Sequence, residues 1–78
     1  MKCSVKTVNG LTIPIEFNEN TTVLEVKRCV AQVQGTEFYT FMLVFGGKVL
    51  KDNLYLKDYG ITVNSTIQCI ENTTGGII

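Results

Sequence analysis

The sequence predicts an α+β fold in which a five-stranded mixed sheet wraps over one α-helix. Three observations predict it. Residues 22–35 carry a helical period with a signal at each end. Two stretches before them, residues 2–7 and 11–17, alternate apolar and polar around a turn. Three stretches after them, residues 40–45, 48–50 and 66–70, are short, rich in β-branched or aromatic residues, and separated by glycine and asparagine. Hairpin, helix, second hairpin and final strand follow in that order, so the helix supplies the crossover that a parallel strand pair needs.

In the first strand Cys3 and Val5 share the inward face, with Lys2, Ser4 and Lys6 outward. Val8-Asn9-Gly10 reads as a tight hairpin loop, because Asn-Gly tolerates positive φ. Ile13, Ile15 and Phe17 face inward on the return strand, and Pro14, unable to donate to a ladder, marks it as a sheet edge. Thr22 followed by Glu25 fits a capping box, Val23, Val26 and Val30 share one helical face, and Gly35 sits where a helix ends left-handed. About twelve residues make a rod roughly 18 Å long. Residues 36–39 are a connector. Gly46-Gly47 turns the third strand into the fourth, and residues 56–60 read as one helical turn closed by glycine. Residues 72–78 carry no pattern and read as a flexible tail.

Composition limits the function. Seventy-eight residues are enough for one domain, expected over residues 1–72 with a tail over 73–78. Seven basic residues balance seven acidic ones and are spread along the chain, against nucleic-acid or anionic-membrane binding. No apolar run approaches membrane-spanning length, and no apolar signal segment opens the chain. Cys3, Cys29 and Cys69 lack metal-ligand spacing and there is no histidine, so reduced thiols in a cytoplasmic or nuclear protein, with no metal or cofactor, are expected. Asn20-Thr21-Thr22, Asn64-Ser65-Thr66 and Asn72-Thr73-Thr74 match the glycosylation pattern by chance in a chain read as non-secreted. With no histidine, no spaced acid pair and no cofactor motif, the chain is not read as an enzyme. Gly46-Gly47-Lys48 lacks the spacing of a phosphate loop.

From Met1 to Gly76 the chain resembles ubiquitin without a gap, which identifies it as ubiquitin-like and its fold as the β-grasp. The resemblance is carried by Met1, Val5-Lys6-Thr7, Gly10, Thr12-Ile13, Thr22, Val26-Lys27, Gly35, Leu43, Phe45, Gly47-Lys48, Leu50, Asp52, Leu56, Asp58-Tyr59, Ile61, Ser65-Thr66 and Gly75-Gly76. It implies a structural ion pair between Lys27 and Asp52, and a tyrosine, Tyr59, whose hydroxyl pins the loop near Lys51.

Three sets of functional candidates follow from the resemblance. Gly75 and Gly76 match the end through which ubiquitin-like modifiers are conjugated to amines; here a processing protease would first remove Ile77-Ile78. Activating and conjugating enzymes are then implied partners. Glu71-Asn72-Thr73-Thr74 lacks the arginines that the family's activating enzyme reads, so a dedicated or tolerant enzyme is implied. Val8, Val44 and Ile70 fall on the family's partner-binding patch, Gln68 takes the place of a histidine there, and the patch implies ubiquitin-fold-binding proteins as partners. Alternation on the third and fifth strands turns Met42, Val44, Gln68 and Ile70 outward together, with Val49 at the rim, as an apolar interaction surface. Lys6, Lys27 and Lys48 match chain-acceptor lysines, although solvated lysines are the plainer reading. The expectation is a monomeric modifier conjugated through Gly76. The alternative is a non-conjugated binding domain in which Gly-Gly is unused.

Overall fold

The computed structural model describes residues 1–71. The expected tail, with Gly75 and Gly76, lies outside the described residues. Five strands form one mixed sheet: β1 (Lys2–Thr7), β2 (Thr12–Glu16), β3 (Phe41–Phe45), β4 (Lys48–Val49) and β5 (Thr66–Glu71). They lie in the order β2-β1-β5-β3-β4, with β1 and β5 parallel and the other pairs antiparallel. Among the described residues there is one α-helix, α1 (Val23–Gln34), and its buried face packs with the sheet in the core. This is the ubiquitin-like β-grasp.

The N-terminus of α1 leaves no amide unpaired. The Thr22 hydroxyl accepts from the Glu25 amide at 3.3 Å, and Glu25 Oε2 accepts from the Thr22 amide at 2.8 Å. The Val23 and Leu24 amides donate to the carbonyls of Leu54 and Asp52. Both halves of the capping box are therefore present, and the loop over residues 52–54 serves the remaining donors. Thr22→Ala is expected to lower stability by about 1 kcal/mol, read as a fall in denaturation midpoint at unchanged slope. Gly35, at φ 71°, closes the other end by donating to the Ala31 carbonyl.

The core is one cluster between helix and sheet. Val23, Val26 and Val30 of α1 meet Val5, Leu43, Ile67 and Leu56, all fully buried. A narrow valine stripe suffices because buried residues of β1, β2, β3 and β5 and of the 56–61 segment join it in one cluster. Lys27 lies beside this stripe. Its Nζ is 3.0 Å from Asp52 Oδ1, with side-chain exposures of 11% and 43%. The pair ties α1 to the loop after β4, and Asp52 keeps enough water contact to lessen the desolvation cost.

Local details differ from the sequence reading. Thr40 is not in the third strand. Its amide and hydroxyl both donate to the Glu37 carbonyl, which holds residues 38–40 in a 3₁₀ turn and starts β3 at Phe41. In the first hairpin only Gly10, at φ 90°, adopts positive φ, and Asn9 does not. The Thr7 hydroxyl accepts from the Leu11 amide and closes the loop. Leu56–Tyr59 is the expected short turn, of 3₁₀ type, closed by Gly60 at φ 74°. Asn64, at φ 69°, is the non-glycine exception in the turn before β5.

Candidate functional site

Strand register assembles the outward patch. Met42 pairs with Ile70, Val44 with Gln68, and Val44 on its other side with Val49. Gln68 pairs in turn with Lys6 of β1, and Lys6 with Thr12 of β2. Cross-strand partners share a face, so one row runs Val49, Val44, Gln68, Lys6, Thr12 across all five strands, at about 4.8 Å per strand. A second row holds Met42 and Ile70. Val8 follows Thr7, the partner of Cys69, and joins Ile70, Gln68 and Lys6 around a shallow depression of ≈ 120 Å³.

The outer face is therefore divided. Its half over β2 and β1 presents Thr12, Pro14, Glu16, Lys2, Ser4 and Lys6. Its half over β3, β4 and the end of β5 presents Met42, Val44, Val49 and Ile70. Val8, Val49 and Ile70 are exposed at 68%, 56% and 40%. Apolar side chains gathered on one half of a sheet, rimmed by glutamine and lysine, have the layout of a protein-docking surface, with an apolar centre and a polar border. The structure thus brings together Val8, Met42, Val44, Gln68 and Ile70. Sequence reasoning treats Lys6 only as an acceptor amine, whereas it also borders this patch. The signal was available: Lys6 alternates with inward Val5, and a parallel first and last strand places it beside Gln68.

The three lysines separate by environment. Lys6 and Lys48 are exposed, whereas Lys27 is buried and held by Asp52. As an acceptor, Lys27 would have to give up that ion pair and leave the core. Its position is explained by structure alone. The Tyr59 hydroxyl accepts from the Lys51 amide at 2.9 Å, as the resemblance implied.

The three thiols are free. Cys3 and Cys69 are buried on the inner face, and burial pushes both thiols above the usual range; the Glu71 carboxylate pushes Cys69 further and the Lys27 ammonium partly opposes it. Stability from these two protonated thiols is present below the ordinary thiol value and is lost as pH rises through the raised one. Cys29 is exposed on α1. A thiol reagent at neutral pH is therefore expected to label Cys29 alone in the native protein, and Cys3 and Cys69 only on unfolding, as read by mass. Among the described residues no group of three or more His, Cys, Asp or Glu is placed to hold a metal, and no helix is long and apolar enough to cross a membrane.

Comparison with known proteins agrees with this geometry. Residues 4–74 match the Ubiquitin family. The chain is 41% identical over 68 residues to a probable ubiquitin receptor RAD23 of Oryza sativa subsp. japonica; the match covers 83% of this chain but only 17% of that protein. It is 27% identical over 77 residues to the ubiquitin-like protein NEDD8 of Dictyostelium discoideum, covering 99% of this chain and 100% of that protein.

Proposed function

The chain belongs to the ubiquitin family, and on that premise we propose that it is a protein modifier, docked through Val8, Met42, Val44, Gln68 and Ile70 and joined to target amines through Gly76. One observation carries the proposal. The match to the NEDD8-named protein spans 77 residues, 99% of this chain and the whole of that protein, and so takes in Gly75 and Gly76. Water would cleave the Gly76–Ile77 peptide bond within a protease, releasing Ile77-Ile78 and leaving a carboxylate on Gly76. An activating enzyme would adenylate that carboxylate with ATP, releasing pyrophosphate. An enzyme thiol would displace AMP to form a thioester, and a target amine would displace the thiol to form the amide. Without a Cβ at either glycine, an enzyme can approach the backbone closely from both sides. In each step the chain is a substrate, not the catalyst. Its partners are the processing protease, the activating and conjugating enzymes, and proteins that read the patch. Three unpaired thiols suit a cytoplasmic or nuclear setting.

A second reading rests on the greater identity to the ubiquitin receptor. There the chain is a docking domain of a longer protein, and Gly75-Gly76 is unused. Both readings need the patch; only the first needs Gly76. The test is an N-terminally tagged full chain in a lysate of the source cells, resolved on a denaturing gel beside Gly76→Ala. High-mass adducts lost in the variant support the modifier. Equal partner capture by both chains, with no adducts from either, supports the docking domain.

A further inference from the structure

We propose that Met42 is a modification site: a hydroperoxide oxidises its thioether to the sulfoxide, and the sulfoxide closes the Val44 patch to apolar partners. The proposal rests on the patch being a docking surface, which both readings above require, and it does not need Gly76. The chain has two methionines. Met1 stands outside β1, with its ammonium donating to the Phe17 carbonyl at the end of the sheet's far edge. Met42 pairs with Ile70 across β3 and β5, two positions from Val44 on its own strand, in the apolar half of the outer face. It is half-buried, so it contributes to the patch and still meets solvent. The thiols lie elsewhere. Cys3 and Cys69 are buried on the inner face, and Cys29 is exposed on α1, which packs against that inner face. Among the described residues, Met42 therefore carries the one sulfur that the patch presents to an oxidant.

The thioether lone pair attacks the distal oxygen of the peroxide. An S–O bond forms and the O–O bond breaks. The other oxygen leaves as water or an alcohol, taking up the proton of the transferred O–H. Sulfur is oxidised by two electrons and the peroxide is reduced by two. A dithiol reverses the change, returning the thioether, releasing water and becoming a disulfide. The two states differ where a partner's apolar group would sit. A thioether is flexible and polarizable, and fills irregular gaps against an apolar partner. The sulfoxide is polar and carries a strong acceptor oxygen, to which the neighbouring side chains of Ile70 and Val44 offer no donor. A partner that excludes water from the patch leaves that oxygen unpaired. Met42 is not part of the buried core cluster, so the fold survives the change.

The test uses the N-terminally tagged full chain, with Cys29 first capped by a thiol reagent, before and after hydrogen peroxide. Peptide mass mapping should place one added oxygen on Met42. The oxidised chain should elute earlier from a phenyl matrix. It should also capture about tenfold less of the lysate proteins that wild type retains and Val44→Asp does not. Its Tm should stay within about 3 °C of the untreated value. Methionine sulfoxide reductase with a dithiol should restore elution and capture. Met42→Leu, which conserves volume, should bind as wild type does and be indifferent to peroxide. Met42→Gln, untreated, should behave as the oxidised chain. Absence of oxygen on Met42 overturns the proposal, as does loss of capture by peroxide-treated Met42→Leu. If Val44→Asp captures as wild type does, the docking surface fails and the proposal with it. If Val44→Asp loses capture while chains carrying the sulfoxide keep it, the docking surface stands and the proposal alone falls.

Discussion

Leu43→Ala is expected to lower the unfolding free energy by about 3 kcal/mol, within the range of roughly 2–5 for buried leucines. Leu43 is fully buried at the centre of β3, opposite Cys69, and its carbonyl accepts from the Leu50 amide at 2.8 Å. The backbone bonds on both sides hold β3 in place, so neighbours cannot collapse into the space left behind. Domains of this kind have only about 5–15 kcal/mol of stability in all. A loss of that size should lower Tm by roughly 12–24 °C, at about 4–8 °C per kcal/mol. Thermal unfolding followed by circular dichroism measures it; a shift under about 3 °C would show that Leu43 does not anchor the core.

Val44→Asp, one position along the same strand, should have the opposite profile. Val44 is half-buried on the outer face between Gln68 and Val49. The fold should lose only about 1 kcal/mol, the span of strand preference. A charge at the centre of the docking patch should weaken partner binding by about 2 kcal/mol or more, roughly thirtyfold. Partner capture by tagged wild-type and variant chains, with Tm measured alongside, separates the two effects. Unchanged capture with unchanged Tm would show that the patch around Val44 does not bind the partner.

The helix was legible because its signals are local. Thr22, Glu25 and Gly35 do their work within one turn of themselves, and their geometry follows from residue type. Strand faces were legible by alternation, and Pro14 marked β2 as an edge correctly. Thr40 was not legible as a turn residue, since nothing in its composition reveals that the Glu37 carbonyl takes both its donors. The left-handed Asn64 gave no stronger signal than any other asparagine. Lys27 and Asp52 lie 25 positions apart, so only the family resemblance could pair them. The patch lay between these extremes. Alternation turned Met42, Val44 and Ile70 outward, but the division of the sheet into a polar and an apolar half needed the register.

As a modifier, the chain would carry Gly76 as an amide carbonyl on another protein. Trypsin cuts after lysine or arginine, and the final such residue in the chain is Lys57. A conjugated chain should therefore leave residues 58–76 as a branch on a target amine, and mass spectrometry of tagged protein purified from source cells under denaturing conditions should find that branched peptide. It should be absent from cells expressing Gly76→Ala. Recovery only of a linear peptide running from Asp58 through Gly76 into Ile77, with no branched species, would contradict the claim and leave the docking domain as the function.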